Sequence, residues 1–147
     1  MTPGPGRPRN ADKDLAIKQA TCQLLAQHGY AELTIEQIAR TAKVSKPAIY
    51  RRWNHLGLLV YDAVFADFYM EAPAQTGRLQ SDLQVFITNV YEQMNQPVAL
   101  AAMLGLAEHF QRDGELQKRV FAQWLLPVLH ILQSIFERAV KSGELPR

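Results

Sequence analysis

The sequence predicts an all-α protein, and three observations carry that reading. Apolar residues recur at helical spacing through most of the chain. No stretch alternates apolar and polar residues as a strand would. Cap and stop residues fall at the ends of the periodic segments. The 147 residues suit one domain or two very small ones, and 48% hydrophobic with 20% charged residues is an ordinary globular composition.

Each element follows in order. "TPGPGRPR" reads as a disordered basic arm over residues 1–10. The first helix is expected from about Lys13 to His28, with Ile17, Ala20, Thr21, Leu24 and Leu25 on one face and Gly29 as the stop. Thr34 is an N-cap with Gln37 three residues on, the capping-box spacing, and Ile35, Ile38, Ala39 and Ala42 form the inner face of a second helix. "KVS" breaks it. Ser45 caps a third helix with Pro47 in its first turn, and Ile49 and Trp53 face inward. A fourth helix spans His55 to about Ala72, ended near Pro73. Further helices are expected over 78–96, from Pro97 to about Arg112, and from Leu116 to Lys141 with a bend at Pro127.

Charge is unevenly spread. Residues 1–60 carry +5 and residues 61–147 carry −3, so only the front of the molecule suits a polyanion. Cys22 is the single cysteine, which excludes an internal disulfide and fits a reducing, intracellular, cytoplasmic setting; within its helix it reads as a buried structural thiol. The apolar runs "PVALAAMLGLA" and "WLLPVLHIL" each fall short of the ~20 residues of a membrane span. No metal-ligand spacing, phosphate loop or nucleophile elbow is present, and neither a cofactor nor catalysis is expected.

The informative stretch is "LTIEQIARTAKVSKPAIYRRW". Two short helices joined by a tight turn make a helix-turn-helix. Ala39 is small where the helices cross, and Ile38, Ala42, Val44 and Ile49 seal the corner. The turn favours glycine because one residue there is often left-handed; Lys43 holds that place, at a cost on the order of 1 kcal/mol. The outer face is left with Lys46, Pro47, Ala48, Tyr50, Arg51 and Arg52. Lysine and arginine can donate to guanine edges in a major groove, while the hydroxyls of Thr34, Ser45 and Tyr50 suit phosphate.

"GRPR", "HGYAELTIEQIARTAKVSKPAIYRRW" and "LLVYDAV", in that order, resemble the N-terminal domain of TetR/AcrR-type transcriptional regulators over residues 6–65. The remainder is similar more loosely, chiefly at "ERAVKSGEL". The resemblance implies a homodimeric repressor gripping a palindromic DNA operator and released by a small apolar effector. It maps Thr34, Ser45, Tyr50 and Arg52 to phosphate, Lys46, Pro47 and Arg51 to the groove, and Arg7 and Arg9 to the arm. Where the family usually has a lysine at the start of the fourth helix, this chain has Leu56. His55 is the expected substitute, and Gly57 beside it is a poor helix former.

The implied organisation is a DNA-binding domain over 11–56 and an effector-binding and dimerisation domain over 57–147. The latter is incomplete by the family pattern, which continues for two more helices. Effector candidates are Phe86, Val90, Tyr91 and Met94 on one helix, Met103, His109 and Phe110 on the next, and Phe121 and Trp124 on the last. A different class of function is a helical interaction module that has lost operator binding; Lys43, Leu56 and the short C-terminal region motivate it.

Overall fold

The computed structural model describes residues 8–66 and 76–146, with the side chains of residues 8–10 excepted. All regular structure among the described residues is helical. The helices are α1 (Pro8–His28), α2 (Ile35–Thr41), α3 (Lys46–Tyr50), α4 (Leu56–Val64), α5 (Leu79–Met94), α6 (Pro97–Arg112), α7 (Gly114–Val120) and α8 (Leu126–Lys141). A single π turn, Phe121–Leu125, joins the last two. Helix α1 begins five residues before the expected Lys13, so residues 8–10 of the presumed arm are helical. Helix α4 ends at Val64, before the expected boundary near Pro73, which lies outside the described residues.

Contacts divide the chain into two compact units, residues 1–67 with 97–112, and residues 68–96 with 113–147. This differs from the division expected at 56/57. Helix α4 packs on α1 and α6, and α1 also packs on α6, because Leu58, Leu59, Val60 and Val64 need apolar cover on several sides. The first unit's core includes Ile17, Leu25, Ile38, Ile49, Leu58 and Leu59. The half-buried Cys22 thiol donates to the Ala63 carbonyl at 3.3 Å, and burial raises its pKa. That geometry suits a structural role.

Two glycines in this unit are dictated by close approach. A Cβ on Gly105 of α6 would stand 1.8 Å from Cγ of Tyr30, so the tyrosine ring lies directly on the α6 backbone. A Cβ on Gly57 would meet the His109 ring at 3.0 Å. The poor helix former at position 57 is thus the residue that lets α6 lie close to the start of α4. Burial, with help from Glu108, pushes the Tyr30 hydroxyl up to about 12.

In the second unit, α5 and α8 pack through Phe86, Ile131 and Ile135, with Leu79, Leu83, Val90, Val128 and Leu132 around them. A polar node lies beside this cluster. The buried Asp82 carboxylate accepts from the Thr76 backbone N–H at 2.8 Å and from its hydroxyl, and pairs with Arg138 at 3.3 Å. These partners, Thr76 foremost, hold Asp82 below the ordinary aspartate value against the opposing effect of burial. The Glu144 carboxylate accepts the Leu79 N–H at 3.0 Å, closing the first turn of α5.

The bend expected at Pro127 is resolved by the π turn just before it. Leu126 N–H bonds back five residues to Phe121 O, a slip of one residue in the ladder. This shift accommodates a proline that lacks an N–H and would crowd an α-helical carbonyl. The result is one helical rod, Gly114–Lys141, of 28 residues, long and apolar enough by length and composition to cross a membrane. The expectation of short apolar runs treated each run separately and so missed the joined rod. Core helices share that length and apolar content but are mostly buried, whereas only 6% of this rod's most apolar window is.

Candidate nucleic-acid interface

The interface starts with the caps. Thr34 Oγ1 accepts the Gln37 N–H at 3.2 Å, and Gln37 Oε1 accepts the Thr34 N–H at 2.9 Å, completing the expected capping box. At the other end of α2, Val44 N–H reaches Ala39 O at 2.9 Å, and Lys43 takes φ +54°. This is the left-handed C-terminal closure expected at that turn. Ser45 occupies the N-cap position of α3, as expected, although its hydroxyl makes no capping bond. Pro47 lies in the first turn. Ile49 and Trp53 point into the core, and Trp53 Nε1 donates to Asp62 of α4 at 2.8 Å.

With one side of α3 buried, its other side is set. Ser45, Lys46, Pro47 and Arg51 are exposed, and Tyr50 is 50% exposed. Thr34 is exposed as well. Lys46 makes a loose surface pair with Glu36 at 3.6 Å, which is easily exchanged for another anion. Arg51 forms no ion pair among the described residues. A phenol, an ammonium and a guanidinium therefore share one accessible patch.

Two predicted contacts sit differently. Arg52 turns toward α1, where it pairs with Asp14 and donates to Ala48 O at 3.3 Å. His55 N-caps α4: its Nδ1 accepts the Leu58 N–H at 3.3 Å. Its ring stacks on His109 of α6, with centroids 5.6 Å apart and an interplanar angle of 11°. The ring is thus engaged at Nδ1 and across one face. Arg7 lies outside the described residues, and Arg9 is described only as backbone in the first turn of α1.

Residues 17–55 match the family described as bacterial regulatory proteins, tetR family, and residues 73–147 match the tetracyclin repressor-like C-terminal domain. The chain belongs to the TetR family. It is a DNA-binding transcriptional regulator, as its relatives are named. An uncharacterised HTH-type transcriptional regulator of Bacillus subtilis is 26% identical over 143 residues, 95% of this chain and 71% of the relative. One from Mycobacterium tuberculosis is 28% identical over 144 residues, 97% of this chain and 68% of the relative. The DNA-binding transcriptional repressor TetR of Mycobacteroides abscessus is 25% identical over 142 residues, 92% and 72%. In this TetR-family chain, α6 falls within the C-terminal match yet packs against α1 and α4.

The effector candidates are divided between the two units. Met103, His109 and Phe110 belong to the first, and the other six to the second. Phe86 is buried in the α5–α8 cluster with Val90 beside it, Met94 is half-buried, and Tyr91 and Phe121 are exposed. The Trp124 indole N–H is buried with no acceptor among the described residues. The second unit also holds a cavity of about 390 Å³ between the start of α5 and the end of α8. Arg78, Asp82, Arg138, Lys141 and Glu144 line it, and none of the apolar candidates does.

Several residues of the first unit escaped the sequence reading, among them Asp14, Tyr30, Asp62 and Gly105. Asp14 left a signal. It continues the buried stripe Ile17, Thr21 and Leu25 by one turn, where a part-buried carboxylate favours a neighbouring cation.

Proposed function

We propose that the protein represses transcription as a cytoplasmic homodimer whose two α3 helices enter successive major grooves of a palindromic operator. The exposed patch of Lys46, Tyr50 and Arg51 on the side of α3 opposite the buried Ile49 is the observation that carries this reading. Lys46 and Arg51 meet base edges, and Pro47 packs against them. Thr34, Ser45 and Tyr50 hold phosphates, and Arg7 from the arm and Arg9 from the first turn of α1 follow the backbone. A small apolar effector binds in the C-terminal region and lowers operator affinity. Trp124, with its unused buried donor, is the first residue to test for that contact. The relatives are regulators by name, which supports a non-catalytic role.

Selection of bound duplexes from random DNA by the purified protein tests the proposal. A palindrome is expected, with log affinity falling linearly in log salt at a slope of about −0.9 per neutralised phosphate. Arg51→Ala should relax base preference at one position of each half-site at a cost of about 1–3 kcal/mol. Equal, salt-insensitive binding to every duplex would favour the interaction module instead.

A further inference from the structure

Arg51 and Arg52 are adjacent and chemically alike, yet only Arg51 faces solvent freely. The Arg52 side chain is 19% exposed. Its Nε lies against Asp14 of α1, and its Nη1 donates to Ala48 O one turn back. The Asp14 oxygen in that pair is shut off from solvent, and no described donor hydrogen-bonds to it. Arg52 is the cation beside that oxygen, while the Asp14 side chain as a whole keeps 36% exposure. Helix α3 has five residues, too few to hold an orientation of its own. Ile49 and Trp53 fix its depth in the core. The Asp14–Arg52 pair ties its C-terminal end sideways to α1.

We propose that Arg52 is a positioning residue rather than a phosphate contact. Asp14, which itself reads no base, sets the angle at which α3 offers Lys46, Tyr50 and Arg51. This rests on the reading of α3 as the groove-entering helix. The sign of one substitution separates the alternatives. Asp14→Asn keeps the side-chain shape and removes a negative charge close to the DNA. If Arg52 were a phosphate contact restrained by Asp14, the change would free it and tighten binding to any duplex. If the pair is a brace, specific binding weakens despite the gain in positive charge.

The experiment uses the full chain and two duplexes, the palindrome selected by the parent protein and a scrambled version. Affinity is measured by fluorescence anisotropy across a salt series, and folding by circular dichroism. Asp14→Asn is expected to lower affinity for the palindrome about tenfold, with binding to the scrambled duplex unchanged or slightly tighter. Arg52→Lys should retain most of the specificity. The exchange of Asp14→Arg with Arg52→Asp should recover part of what either single change loses. Asp14→Asn that tightens both duplexes, or leaves the palindrome unaffected, overturns the brace. So does an Arg52→Ala variant that loses affinity equally for both duplexes. A parent protein that selects no duplex overturns the DNA-reading proposal itself.

Discussion

Beneath the helix-turn-helix, Ile17, Leu25, Ile38, Ile49, Leu58 and Leu59 are each no more than 2% exposed. The second unit has Phe86, Ile131 and Ile135 in its cluster, while Ile87, Tyr91, Phe121, Leu129 and Phe136 remain between 44% and 63% exposed. The first unit is closed by apolar packing and by two glycines that let side chains lie on backbone. The second relies on a smaller cluster and on the node of Asp82, Thr76 and Arg138. A region that must present a rigid reading face has the tight core. Apolar side chains stay accessible in both units, since Leu15, Met103, Leu104 and Phe110 of the first are between 42% and 82% exposed.

The sharpest way to break this contrast is to delete matched core side chains. Leu59→Ala should destabilise the first unit by about 4 kcal/mol, and Ile135→Ala the second by about 2, because partly exposed neighbours can collapse around the smaller loss. Equal shifts in urea unfolding, followed by circular dichroism, would erase the distinction. Next comes Gly105→Ala, expected to cost about 2–3 kcal/mol by driving a methyl group into the Tyr30 ring.

Acid should act on the other unit. Asp82 has a lowered pKa in the folded state, so its contribution is present above the unfolded value and lost as pH falls through the folded one. Stability should therefore decline below about pH 4, and Asp82→Asn should flatten that part of the curve. A milder effect is expected at the turn. Lys43 and Gly143 close α2 and α8 with the same left-handed geometry, at φ +54° and +82°. Lys43→Gly should stabilise the fold by up to about 1 kcal/mol, read from the melting temperature. Smallest of all is Leu104→Ala on α6, where an 82% exposed side chain should change stability by less than about 0.5 kcal/mol.

What the sequence disclosed was local. The Thr34–Gln37 box, the left-handed Lys43, the inward Ile49 and Trp53 and the α6 boundaries all follow from residues a few positions apart. What it concealed was distant. Arg138 and Asp82 are 56 positions apart, and Glu144 reaches Leu79 across 65. Gly57 read as a weak point because its reason, the ring of His109, lies on another helix. Type and spacing say nothing of which way the His55 and Arg52 side chains turn, one onto His109 and the other toward Asp14. No periodicity reports that a ladder slips by one bond, so Pro127 read as a plain kink.

That slip has a bearing on chain length. A π turn spends one residue more than an α-helix needs to cover the same rise, so residues 121–125 hold a surplus position. Removing that surplus position would let the ladder run straight and leave everything downstream close to its present phase, whereas the same deletion in a plain α-helical stretch would rotate it by about 100°. Only in the second case would Ile131 and Ile135 swing off Phe86. Insertions and deletions in this part of the chain therefore act as adjustments of phase, and their acceptability depends on angle more than on side-chain chemistry.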